Sequence, residues 1–189
     1  MSHTLHLVVL LALSSIASAQ SSGAIAPSPA PSPEIRRLVN ALSGTWSITL
    51  KIEPNASLPK GGAGKCEEVW RPGPGGLSLI EDYLSTGDEG KISGLGVAWW
   101  DNNAQRYQVT WCDGGNPDGC ALIKHGAKWE GSKVVAIDEW QKNGKKFTLK
   151  EVFSDITPNS FKQTLYQGES GGELKLFILY GLLRGVGHD

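Results

Sequence analysis

The sequence predicts an all-β fold, an antiparallel up-and-down β-barrel of about ten strands entered through one short helix. Three observations predict it. Runs of residues alternate apolar and polar, the period of two that sends successive side chains to opposite faces of a strand. Turn-forming residues interrupt these runs at short, regular intervals. Beyond residue 42 no stretch of useful length carries the apolar periodicity of an amphipathic helix. A sheet built of neighbouring hairpins has two edges that invite pairing with other molecules, and closing the sheet on itself removes both. A two-sheet sandwich is the all-β alternative, but it needs Greek-key crossovers where this chain shows nearest-neighbour hairpins.

The first 33 residues stand apart. Leu5 to Leu13 is mostly apolar and leads to Ala17-Ser18-Ala19, the small-residue pattern at which signal peptides are cut. Residues 1–19 therefore read as an export signal, and the expected location is secreted or periplasmic. The apolar run falls short of the roughly 20 residues that span a bilayer. Residues 20–33 form a lead rich in Pro, Ser and Ala, and Ala26 to Pro33 lacks both donors for a ladder and an apolar face. Residues 34–189 read as one domain.

Pro33 to Leu42 predicts the short helix, and Gly44 to Glu53 the first strand, with Trp46, Ile48, Leu50 and Ile52 on one face. Further strands are expected near 65–71, 77–86, 91–101, 104–112, 119–129, 133–141, 145–154, 159–168 and 173–184. Asn143-Gly144 suits a type I′ hairpin because both residues tolerate positive φ. Asn116-Pro117-Asp118-Gly119 suits a type I turn, with Pro fixing φ at its second position.

A short helix running into Gly44-Thr45-Trp46 resembles the start of lipocalin-like barrels. Lys91 to Asp101, with Gly94-Leu95-Gly96 before the Asp turn, is followed by Tyr107-Gln108-Val109-Thr110-Trp111. This hairpin resembles one in a bacterial family of lipocalin-like proteins of the calycin group. The resemblance covers roughly residues 34–184. It implies the barrel, and it implies that Arg184 on the last strand covers Trp46 on the first. Gly44, Trp46 and Arg184 would then close the barrel. It implies no particular activity.

Seven Trp residues are spread along the strands. Tyr107, Val109 and Trp111 share one face of their strand, while Trp99 shares its face with Val97 and Leu95. Such rings either fill a core or line a pocket that stacks a flat, apolar ligand. Glu81 shares a face with Leu79 and Tyr83, and Glu151 with Leu149 and Phe153. Turned inward, these carboxylates pair with Arg71 or Arg106 or bind a polar group of a ligand; turned outward, they meet solvent. Candidate ligand-binding residues are thus Trp99, Tyr107, Trp111, Glu81, Glu151 and His125. No catalytic residue and no metal site is assigned. His125 is the single histidine of the strand region, and barrels of related shape use one axial His for haem. Haem at His125 is the one cofactor considered; otherwise none is expected.

The cysteines are 66, 112 and 120. Cys112 and Cys120 flank a hairpin loop and are expected to join in an exported protein, leaving Cys66 unpaired. Gly168-Glu169-Ser170-Gly171-Gly172 matches a hydrolase string but lacks the strand–turn–helix context that string needs. Gly61 to Cys66 lacks the first Gly and the final Ser or Thr of a phosphate loop. Asn55-Ala56-Ser57 is a glycosylation sequon. A net charge of −1 without a basic cluster excludes a nucleic-acid partner of the electrostatic kind. The expected partner is a small apolar or amphipathic ligand, bound by a monomer or dimer. An envelope protein working through its outer surface and a barrel enzyme are the alternatives.

Overall fold

The structure, a computed structural model, describes residues 29–115 and 118–184. The expected export segment, most of the Pro-rich lead and the Asn116-Pro117 part of the expected turn lie outside the described residues. The chain runs α1 (Pro33–Leu42), β1 (Gly44–Ile52), β2 (Gly62–Pro72), a single 3-10 turn (Pro74–Gly76), β3 (Ser78–Gly87), β4 (Gly90–Asp101) and β5 (Arg106–Asp113). It continues through β6 (Cys120–Leu122), β7 (Ala127–Glu130), β8 (Lys133–Lys142), β9 (Lys145–Ser154), β10 (Ser160–Glu169) and β11 (Lys175–Arg184).

Helix α1 starts where its sequence says it should. The Ser32 hydroxyl accepts the Ile35 N–H at 3.2 Å, and Pro33 opens the first turn with φ already helical. Ile35, Leu38 and Leu42 form its buried face. Gly44 follows at φ 146°, a backbone angle that side chains disfavour, and turns the chain into β1. Along β1 the inward residues Trp46, Ile48, Leu50 and Ile52 are all buried and alternate with exposed ones.

Every strand pairs antiparallel with its neighbour, and the ring closes because β1 pairs with β11 in a register that sets Trp46 opposite Arg184 and Ile52 opposite Ile178. Ten strands make the ring, and β6 pairs only with β5. The up-and-down barrel with one short helix expected from the alternation is therefore present. At the β8–β9 turn Asn143 and Gly144 take φ of 51° and 77°, as a type I′ hairpin requires.

One expected strand is broken. Residues 119–129 form two short strands, because the chain leaves β5 after Leu122 and returns at Ala127 opposite Tyr107. Gly126 sits at φ 61° in the step between them. A Cβ there would stand 2.2 Å from the Tyr107 carbonyl oxygen. The step's backbone groups bond to Val109 and Ile137 instead of continuing the ladder. Among the described residues no helix is long and apolar enough to cross a membrane.

Candidate functional site

The barrel encloses a cavity of about 510 Å³. Helix α1 closes its base. Leu38 and Leu42 face the space, and the Trp46 indole N–H donates to the Leu42 carbonyl at 2.8 Å. Tyr107 donates its hydroxyl to the Glu34 carbonyl at 2.8 Å and accepts from the Trp129 indole at 3.0 Å. The Arg37 guanidinium lies 3.8 Å over the Trp129 ring, and its Nη2 donates to the Gly131 carbonyl. This set pins the helix to the rim by a cation–π contact and three hydrogen bonds.

The walls are largely aromatic and aliphatic. Trp70 meets Phe153 edge-on at 6.1 Å, and Tyr83 meets Trp111 edge-on at 5.5 Å. Two glycines of β4 make room for this lining. A Cβ on Gly94 would stand 2.4 Å from the Trp111 ring, and one on Gly96 would stand 2.6 Å from Glu81 Oε2. Gly96 is the direct partner of both Glu81 on β3 and Trp111 on β5. Its missing side chain is thus the space that the Glu81 carboxyl occupies.

Polar groups gather at the waist of this apolar space. Glu81, Glu151, Gln163, Tyr83 and Tyr180 line it, and Glu68 lies wholly buried beside them. Glu68 Oε2 accepts the Trp70 indole N–H at 2.8 Å, and Gln163 Nε2 donates to Glu151 Oε1. Burial pushes all three acids upward, and neighbouring carboxylates add to it at Glu81 and, against the Trp70 bond, at Glu68. Glu68 rises to about 8, Glu81 lies well above the usual carboxylate range, and Glu151 is raised by burial against the Gln163 bond that lowers it. Tyr83 and Tyr180 are raised by the same burial. Glu68 Oε1 and Gln163 Oε1 are buried without a hydrogen-bond partner among the described residues. Two such acceptors in one interior are unusual, since buried polar atoms are ordinarily paired.

Tyr107, Trp111, Glu81 and Glu151 are brought together around the cavity. Trp99 is not: it is 36% exposed on the outer face, and Trp100 is the inward member, edge-on to Tyr107. Inward positions on β4 are taken by Gly94, Gly96 and Ala98, so the larger apolar face of this strand points outward, with Leu95 39% exposed. His125 is also outside the cavity. Its side chain is 44% exposed on the step between β6 and β7, with Nε2 3.2 Å from Glu139. It is therefore not among the residues that line the cavity. Neither Arg71 nor Arg106 reaches the inward acids; Arg71 pairs with Asp82 at 3.2 Å on the outer surface. Cys112 and Cys120 form the expected disulfide, and Cys66 is buried and unpaired. Ser170 bonds to Thr148 at 2.8 Å, and Asn55 caps its own turn by accepting from Ser57 and Leu58. Gln163 and Tyr180 are site residues that sequence reasoning did not single out. Glu68 was among the strand carboxylates of which one in each adjacent pair had to face inward, and it shares that face with Cys66 and Trp70.

No family model matches the chain, and no curated protein matches it. Among solved structures, the S-type phycobiliprotein lyase CPES from Guillardia theta is similar at a TM-score of 0.48 and 11% identity. The match covers 82% of this chain and 94% of that one.

Proposed function

We propose that this protein binds a small, largely apolar ligand inside the barrel and is exported to do so. The observation that carries the reading is the cavity itself. At about 510 Å³ it falls within the roughly 300–1,000 Å³ typical of small-molecule sites. A self-filled interior would leave few voids larger than a water molecule. Apolar walls with a few convergent polar groups are the usual make-up of such a pocket. The Cys112–Cys120 disulfide supports an oxidising compartment, in keeping with the small-residue pattern at Ala17 and Ala19.

The test uses N-phenyl-1-naphthylamine, a neutral probe that brightens in apolar surroundings. Binding with one site per chain is expected, together with its loss in Ala136→Trp, which puts a ring into the cavity from β8. Circular dichroism checks that the variant folds. Native mass spectrometry of protein purified from its own host should show a retained mass, on a chain beginning at Gln20. A folded protein that neither brightens the probe nor carries a retained mass would end the reading.

A further inference from the structure

The cavity wall carries one sign of charge. Glu81, Glu89, Asp113, Asp138 and Glu151 contribute to it and, among the described residues, no Lys, Arg or His does, although the whole chain has 18 Lys and Arg against 19 Asp and Glu. Composition does not produce that segregation; the topology does. Asp113 and Asp138 lie toward the open end and already accept hydrogen bonds, from Trp111 and Gly115 and from Lys124 and Glu139. Glu81 and Glu151 lie deeper, close enough to each other and to Glu68 to repel. The deep group also contains polar atoms without partners, one of them the amide oxygen of Gln163, which can only accept. Gln163, 5% exposed, lines the cavity with Oε1 unpartnered, and Glu68 Oε1 is unpartnered beside it.

Resting on the reading of the barrel as a binder, we propose that its ligand carries a cationic nitrogen, an amine or amidinium on an apolar body, received at the waist by Glu81, Glu151 and Gln163. An ammonium has donors and no acceptor, the complement of a site with unmet acceptors. Its bonds to a carboxylate are charge-assisted and stronger than those of a neutral hydroxyl. An anion meets no cationic partner among the described wall residues. The aromatic walls hold the body, and the acids at the open end raise the local concentration of cations. Burial raises the deep carboxyls, Glu68 to about 8, and so favours their protonated forms. A bound cation takes over from those protons, so binding at pH 7 releases protons to the solvent.

Three probes that share an indole body separate the possibilities: tryptamine (cation), tryptophol (neutral) and indole-3-propionate (anion). Titration calorimetry of the mature chain at pH 7 should show tryptamine binding at least tenfold more tightly than tryptophol, and indole-3-propionate most weakly. The apparent enthalpy for tryptamine, and not for tryptophol, should differ between phosphate and Tris buffers by the heat of the released protons. Glu81→Gln and Glu151→Gln should each weaken tryptamine at least tenfold while changing tryptophol less than threefold. Tryptophol binding as tightly as tryptamine overturns the inference and leaves the pocket reading standing. So does silence from all three while N-phenyl-1-naphthylamine still binds. Failure of that neutral probe as well removes the pocket reading with it.

Discussion

Cys66 and Glu68 occupy successive inward positions of β2, and burial shifts both. The Cys66 thiol is pushed up to about 12, chiefly by burial and then by the charge of Glu68. The thiolate is the reactive form, so native protein at pH 8 should not react with Ellman's reagent, while protein in guanidinium should give one equivalent after the disulfide is left intact. Rapid labelling of the native state would show the thiol to be reachable and ionised. Glu68 gives a prediction in pH. Its carboxyl lies at about 8 in the fold against 4.5 for the ordinary group. Between those values the folded chain holds a proton that the unfolded chain has lost, so stability falls as pH rises through that window. Glu81 and Glu151 are shifted the same way and deepen the slope. Asp101 and Glu139 are lowered by hydrogen bonds and act only at more acid pH. The urea midpoint of the empty protein should therefore be lower at pH 8 than at pH 5, and Glu68→Gln should flatten the difference. A midpoint that rises over this range would mean that the acids are ionised and paired.

Elements whose limits are set by local chemistry were readable from the sequence. Helix α1 spans the expected residues because Ser32 and Pro33 fix its start and Gly44 the turn beyond it. Strand neighbours placed Glu81 on a face with Leu79 and Tyr83, and Glu151 with Leu149 and Phe153, but left open whether those faces turn inward. The β6–β7 break was not readable, because it depends on Gly126 approaching the Tyr107 carbonyl, a contact between distant segments. Trp99 misled for a related reason. Alternation shows that Trp99 and Trp100 face opposite ways but not which faces inward, and here the inner face is the one with glycines, since Trp111 and Glu81 fill the space from neighbouring strands. Gln163 lies in the polar run Lys162-Gln163-Thr164, and only the packing of β10 against β9 and β11 gives it a role. At this scale the disulfide also makes a prediction. It joins residues 8 apart where β5 and β6 pair. Cys112→Ser with Cys120→Ser should lower stability by about 2–3 kcal/mol on the chain-entropy estimate, read as a shift in urea midpoint. An unchanged midpoint would show that the β5–β6 ladder holds the loop unaided.

The molecule as a whole depends on a pairing between its two most distant strands. β1 and β11 meet over seven residue pairs, from Trp46↔Arg184 to Ile52↔Ile178, and this contact turns an open sheet into a ring. A contact so distant in sequence is slow to form, and until it forms β1 and β11 each present a free edge. It also completes the cavity, since Ile178 and Tyr180 of β11 are buried and line it. A chain ending at residue 174 therefore loses closure and cavity together. It leaves the unpaired edges of β1 and β10 beside the apolar face that carries Ile48 and Leu50. Such edges pair with other molecules more readily than they shrink to a smaller barrel, because the inward residues of the remaining strands are sized for the present ring. The truncated chain should form soluble oligomers or aggregate by light scattering and show no cooperative melt, whereas the full chain melts in one transition. A monomeric truncated chain with a cooperative melt would show that the remaining strands close on themselves, and that the β1–β11 pairing follows from the barrel instead of making it.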